Sequence, residues 1–125
     1  MFTRTDVATI ARKAAQAEEG KGQGHTVYAQ GITPGRYVVG GYAPAQLYPV
    51  GAATGHMRVR IWDAVHTDAA EGAHTLGFWE DDGTVYVDLG DTWDGLGMAI
   101  AVAQTRGELA IYDRKEGRVI TLANL

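Results

Sequence analysis

Near the start of the chain, apolar positions recur every three or four residues. In "FTRTDVATIARKAAQAEEG" (2–20), Val7, Ile10, Ala11 and Ala14 fall at i, i+3, i+4 and i+7, the spacing of one helix face. Thr3 is the expected N-cap, with Asp6 at the capping-box position and Phe2 and Val7 at the staple positions. The face is narrow and alanine-rich, so its burial supports a modest docking energy. Gly20 or Gly22 ends the helix.

The period then shortens to two. "HTVYAQGITPGRYVVGGY" (25–42) reads as a hairpin, with Pro34-Gly35 suited to the centre of a type II turn. "APAQLYPVGAATGH" (43–56) carries two prolines and reads as a loop. "MRVRIWDAV" (57–65) alternates Met57, Val59 and Ile61 with Arg58, Arg60 and Trp62, the pattern of a half-buried strand. "HTDAAEGAHT" (66–75) is a loop. "LGFWEDDGTVYVDL" (76–89) is the strongest hairpin, because Asp82-Gly83 accepts positive φ at both central positions. A second, nearly all-apolar helix begins between Thr92 and Leu96 and ends at Gly107. Leu96, Ala99, Ile100 and Ala103 mark its core face, and it is expected to be more buried than the first. "ELAIYDRKEGRVITL" (108–122) closes as a last hairpin. The order α-β-β-β-β-β-α-β-β predicts an α+β fold: an antiparallel sheet of about seven strands, an N-terminal amphipathic helix, and a buried second helix before the last hairpin. A single domain over residues 1–125 is expected.

Composition narrows the chemistry. The chain has no cysteine, which excludes disulfides, thiolate metal sites and thiol nucleophiles. It also has no serine, which excludes the Ser-His-Asp and G-x-S-x-G arrangements. The glycines around Lys21 in "GKGQG" lack P-loop spacing. No catalytic set and no cofactor is predicted. No apolar run approaches a membrane span, and no secretory segment follows Met1-Phe2-Thr3-Arg4, so a cytoplasmic location is expected.

Charge adds a further feature. "EDDGTVYVDLGDTWDGLG" (80–97) holds six carboxylates, Glu80, Asp81, Asp82, Asp88, Asp91 and Asp94, and no Lys or Arg. No register fits a calcium-binding EF-hand loop. Taken singly, each acid has a local role. Asp81 and Asp82 belong to a hairpin tip, Asp91 and Asp94 to the capping of the second helix, and Asp88 to the wet face of a strand. Taken together, residues 61–105 hold nine carboxylates and no Lys or Arg, whereas residues 1–60 carry a balance of +4 and residues 106–125 of +1. Two accounts fit. The six acids form a face for a basic partner, or the basic N-terminal half, through Arg58 and Arg60, folds back and neutralises them. A pI of about 5.4 without a basic run disfavours nucleic-acid binding. Mimicry of DNA has the right sign but is sparser than a duplex, with its charge per about 1.7 Å.

His66, Asp68, Glu71 and His74 are metal-ligand types within nine residues. They lie in a loop and lack a helical i, i+4 spacing, so they stand as the alternative, metal-binding site. His25 and His56 are isolated.

The stretch "VYVDLGDTWDGLGMAIAVAQTRGELAIYDRKEGRVITL" (85–122) ends in Gly107, Leu109, Ala110, Ile111, Tyr112 and Asp113, a G-x-L-A-I-[YW]-D strand after an alanine-rich helix. It resembles a tail recurring in small actinobacterial phage and mobile-element proteins, over about a third of the chain. The resemblance implies an accessory protein and carries over no catalytic residue. The expected function is therefore a non-enzymatic interaction module presenting an acidic face to a basic host or phage protein. The alternatives are a small enzyme using carboxylate acid/base or metal chemistry, and a self-assembling piece whose edge strands, Trp62 and Tyr112 pair between copies, as in a homodimer.

Overall fold

The computed structural model describes residues 1–124. The chain runs α1 (Arg4–Ala15), β1 (Gly24–Tyr28), β2 (Tyr37–Val39), β3 (Gln46–Pro49), α2 (Thr54–Val65), β4 (Thr75–Asp81), β5 (Thr84–Trp93), α3 (Leu96–Thr105), β6 (Ala110–Asp113) and β7 (Arg118–Thr121), with short 3-10 turns at Asp68–Ala70 and Leu122–Asn124. The strands form one seven-stranded antiparallel sheet in the order β1-β4-β5-β2-β6-β7, with β3 also on β5. The fold is α+β, as the periodicity predicts.

Strand β5 organises the sheet. Asp82 (φ 50) and Gly83 (φ 84) turn it back from β4, the paired positive φ that Asp-Gly tolerates. Its other edge carries β3 opposite Thr84–Val87 and β2 opposite Asp91–Trp93. β2 and β3 are thus one track interrupted between Val39 and Gln46, where residues 40–45 bulge out beside residues 88–90.

Two cores flank this breach. Alternate residues of β5, Val85, Val87 and Leu89, pack with Leu76 and Phe78 of β4 beneath Val7 and Ile10 of α1 and Met57 and Ile61 of α2. The smaller core joins Ala99 and Ala103 of α3 to Tyr37, Val39 and Ile111. Helix α1 forms as its sequence dictates. Thr3 Oγ1 accepts the Asp6 N–H at 3.1 Å while Asp6 Oδ2 accepts the Thr3 N–H at 2.8 Å, and Phe2 is buried.

Five local expectations are corrected. Helix α1 ends at Ala15, with Gln16 as its C-cap, not at Gly20 or Gly22. Residues 57–65 are helical, not a strand. Met57 and Ile61 satisfy both periods, but Val59, which alternation would bury, is 61% exposed, and the buried pair sits at i, i+4. The segment read as a loop contains β3, which tolerates Pro49 because it is an edge strand paired to β5 alone. The predicted 25–42 hairpin does not close: β1 pairs with β4, β2 pairs with β5 and β6, and the positive φ falls at Gly31, not Gly35. Helix α3 is the less buried of the two predicted helices. Only Ala99 and Ala103 are enclosed, while Met98 is 56% exposed, because the core beneath it is small.

Candidate functional site

The acids of 80–97 do not share one face. Glu80 is buried, and its carboxylate accepts the backbone N–H groups of Gly20 (2.9 Å), Gly22 (2.7 Å) and Gly83 (2.8 Å). Those bonds, led by Gly83, hold its pKa below the ordinary range. Glu80 therefore ties the turn after α1 to the β4–β5 hairpin. Asp91 is buried in a bidentate pair with Arg106 (2.7 and 2.9 Å) and also accepts the Trp93 indole N–H at 2.9 Å. It does not cap α3. Asp94 is exposed, the N-cap is Gly95, and no side chain bonds the free N–H groups there. Asp81 and Asp82 are exposed at the hairpin tip.

Neutralisation is partial, and it does not come from Arg58 and Arg60. Both are exposed on α2, where Arg60 lies 5.1 Å over the Tyr48 ring. The one guanidinium paired with an acid of the block is Arg106, one residue beyond the cation-free stretch; Arg36 instead grips the buried Asp113, outside that stretch, at 2.8 and 2.9 Å. The Arg36 hydrogen bonds hold Asp113 well below the usual carboxylate range.

His66, Asp68, Glu71 and His74 do not assemble. Among the described residues no three His, Cys, Asp or Glu side chains come together to hold an ion. His66 Nδ1 instead meets the Trp62 carbonyl at 2.7 Å, its ring 4.1 Å from the indole, and the Glu71 carbonyl accepts the Tyr42 hydroxyl.

Asp88 is the exception among the acids. Alternation does put it on the face of β5 away from Val87 and Leu89, but it is half-buried there. Residues 40–45 and Glu108 close over it, and a cleft of about 350 Å³ opens between them, lined by Gly41, Tyr42, Pro44, Asp88, Arg106 and Glu108. Asp88 Oδ2 accepts the Gly41 N–H at 2.9 Å. Among the described residues, its buried Oδ1 finds no donor.

The turn that delivers Glu108 follows from the sequence. Helix α3 ends with Gly107 at φ 73, while the N–H groups of Gly107 and Glu108 bond the carbonyls of Gln104 (3.1 Å) and Ala103 (2.9 Å), a Schellman closure that glycine permits. Arg106 and Glu108, on either side of that glycine, both reach the breach. The space beside Asp88 exists because residue 40 is glycine. A Cβ there would stand 2.3 Å from Asp88 Oδ2 and 2.7 Å from Glu108 Oε1. The two oxygens therefore lie within about 5 Å, close enough for like charges to disfavour joint ionisation. Burial, and then the charge of Glu108, push Asp88 up to about 6; burial also raises Glu108. Arg106 offers limited relief, being spent on Asp91 and the Gly40 carbonyl at 3.2 Å. Glu108, Arg106 and Gly40 are the site residues that sequence reading misses. Their one visible sign is an Arg-Gly-Glu helix end directly after the cation-free stretch.

The same side of β5 carries an apolar row. Leu47, Tyr86 and Trp79 are in register across β3, β5 and β4. Leu47 is 57% and Trp79 49% exposed, and the Trp79 and Tyr86 rings stack at 5.1 Å. Asp81 lies beyond Trp79 on this face, and Asp88 lies two residues from Tyr86.

Fold and site together define an α+β protein with an antiparallel sheet, an apolar row and an uncompensated carboxylate pair on the same side of β5. No family model, curated protein or solved structure matches the chain. Among the described residues no helix is long and apolar enough to cross a membrane.

Proposed function

We propose that the protein is a non-enzymatic interaction module that docks a basic, partly apolar segment of another protein on the β3–β5–β4 face opposite α1 and α2. The observation that carries this reading is the Leu47–Tyr86–Trp79 row, exposed at Leu47 and Trp79, with Asp81 at one end and Asp88 at the other. Aromatic and aliphatic side chains give a docking surface its area. Carboxylates at its ends select and steer basic partners. Exposed Glu18 and Glu19 add to the tip, with Glu19 beside Gly83. The acidic surface of the expectation is thus recast: Asp81 and Asp82 belong to it, while Glu80 and Asp91 act inside the fold. The resemblance of the C-terminal third supports an accessory role in a phage or mobile element, and the surface carboxylates favour a basic host or phage protein as the partner.

Titration of the protein with a synthetic peptide alternating arginine with leucine tests the reading through Trp fluorescence. Trp79→Ala and Asp81→Lys are each expected to weaken binding about tenfold, and salt to weaken it further in the wild type. Binding that neither variant alters, or that salt leaves unchanged, contradicts it.

One observation favours a second reading, acid/base catalysis. Asp88 and Glu108 are paired carboxylates with raised pKa values in an open cleft, the arrangement by which enzymes keep a proton donor near neutral pH. Turnover of chromogenic glycosides or esters by the wild type, lost in Asp88→Asn, would favour it over docking.

A further inference from the structure

We infer that Asp88 and Glu108 form a proton-controlled latch on the Gly40–Ala45 segment, closed when the pair holds one proton and loosened when both groups are ionised. The inference stands apart from the docking reading, since it concerns how the breach between β2 and β3 is held.

The segment has few ties to β5. The Gly41 N–H bonds Asp88 Oδ2 at 2.9 Å and the Tyr42 N–H bonds the Leu89 carbonyl at 3.0 Å. Arg106 adds contacts to the carbonyls of Val39 (3.4 Å) and Gly40 (3.2 Å), and its guanidinium lies 5.4 Å over the Tyr42 ring. Glu108 runs along the outside, with Oε1 against Gly40 and Oε2 against Gly41. Asp88 and Glu108 thus sandwich the two glycines.

The charges facing this sandwich do not balance when both acids ionise. Strand β5 contributes Asp88 and Asp91, and the end of α3 contributes Arg106 and Glu108. The segment itself contributes the Tyr42 phenol, whose hydroxyl is bound to Glu71. Strand β4 places Gly77 opposite Asp88, β3 brings the neutral Gln46, and α2 brings Ala64 and Val65. The single guanidinium is already paired with Asp91. A second proton-free carboxylate within about 5 Å of Asp88 then has no counter-ion among the described residues, and both groups are half-buried, which disfavours their charge. One proton on the pair removes the repulsion, and the Asp88 pKa, raised by burial and then by the Glu108 charge, agrees with that. Without the proton, repulsion acts across Gly40–Gly41, and glycine backbone resists displacement least.

The test is a pH titration of the 15N-labelled full chain from about pH 4.5 to about pH 8, following the amides of Gly40, Gly41 and Tyr42. The latch predicts a common midpoint near 6, matching Asp88. After correction for intrinsic base catalysis, it also predicts about tenfold faster hydrogen exchange at Gly41 above the midpoint than below. Asp88→Asn should abolish the midpoint, and Glu108→Gln, which leaves burial acting on Asp88, should lower it and remove the step in Gly41 exchange. Glu108→Gln decides the matter if Asp88→Asn folds poorly, because Glu108 lies outside the sheet. Amide shifts that stay flat between about pH 5 and pH 7, or a midpoint and an exchange step both unchanged in Glu108→Gln, would overturn the latch.

Discussion

Asp91 and Asp88 lie three residues apart on β5 and meet opposite fates. Asp91 receives two N–H groups from Arg106 and one from the Trp93 indole. Asp88 receives the Gly41 amide at one oxygen, no donor among the described residues at the other, and faces a second carboxylate. The difference lies in where the chain's few cations return. Arg106 and Arg36 close two acids, and backbone N–H groups close Glu80. The Asp88 region keeps a charge the fold does not compensate. A buried charge without a partner costs stability, and such costs concentrate at functional sites.

The two regions also respond to acid with opposite signs. Glu80 and Asp113 have lowered pKa values. They contribute stability above the ordinary carboxylate range and lose it as pH falls through their folded values. Asp88 is raised to about 6 and Glu108 is raised as well. The stability they contribute is fully present below the ordinary carboxylate range, and the Asp88 share is lost as pH rises through about 6.

Breaking the closed region should have the largest effect. Arg106→Met strands the Asp91 carboxylate in the smaller core and should cost about 3–5 kcal/mol by denaturant unfolding. At the open region, Gly40→Ala drives a Cβ into Asp88 and Glu108 and should cost about 1–3 kcal/mol. A double-mutant cycle with Asp88→Ala should return a coupling of at least about 0.5 kcal/mol, locating the clash at that carboxylate. Gly83→Val puts a branched residue at φ 84 and should cost more than about 1 kcal/mol. Asp94→Ala sharpens the contrast from the other side. A cap would cost about 0.5–2 kcal/mol, but exposed Asp94 should change stability by less than about 0.5 kcal/mol.

Much of this layout is legible in the sequence where neighbours along the chain decide it. The Thr3–Asp6 box, the Asp82-Gly83 turn and the stop at Gly107 depend on residues within one turn, and each forms as its chemistry requires. Residues 57–65 read as a strand because Met57 and Ile61 fit both periods, yet they form helix α2, which buries that pair at i, i+4. Asp88 shows the limit at the site. Alternation places its side chain correctly, away from Val87 and Leu89, yet cannot reveal what covers that side. The cover comes from Gly40–Ala45, more than forty residues earlier, and from Glu108, twenty later. The block of acids was legible as a charge pattern, but its division into clamps, ion pair and open pair depends on contacts distant in sequence, such as Glu80 with Gly20 and Gly22.

The central claim, that Asp88 is a carboxylate the fold leaves uncompensated, is tested most directly by comparing the unfolding free energy of the wild type and Asp88→Asn at about pH 4 and about pH 8. With the folded group near 6, Asp88→Asn should be more stable than the wild type at pH 8 by about 1–3 kcal/mol. That advantage should shrink below about 0.5 kcal/mol at pH 4, where the wild-type carboxyl carries its proton. A variant less stable than the wild type at pH 8, or a difference equal at both pH values, would contradict the account.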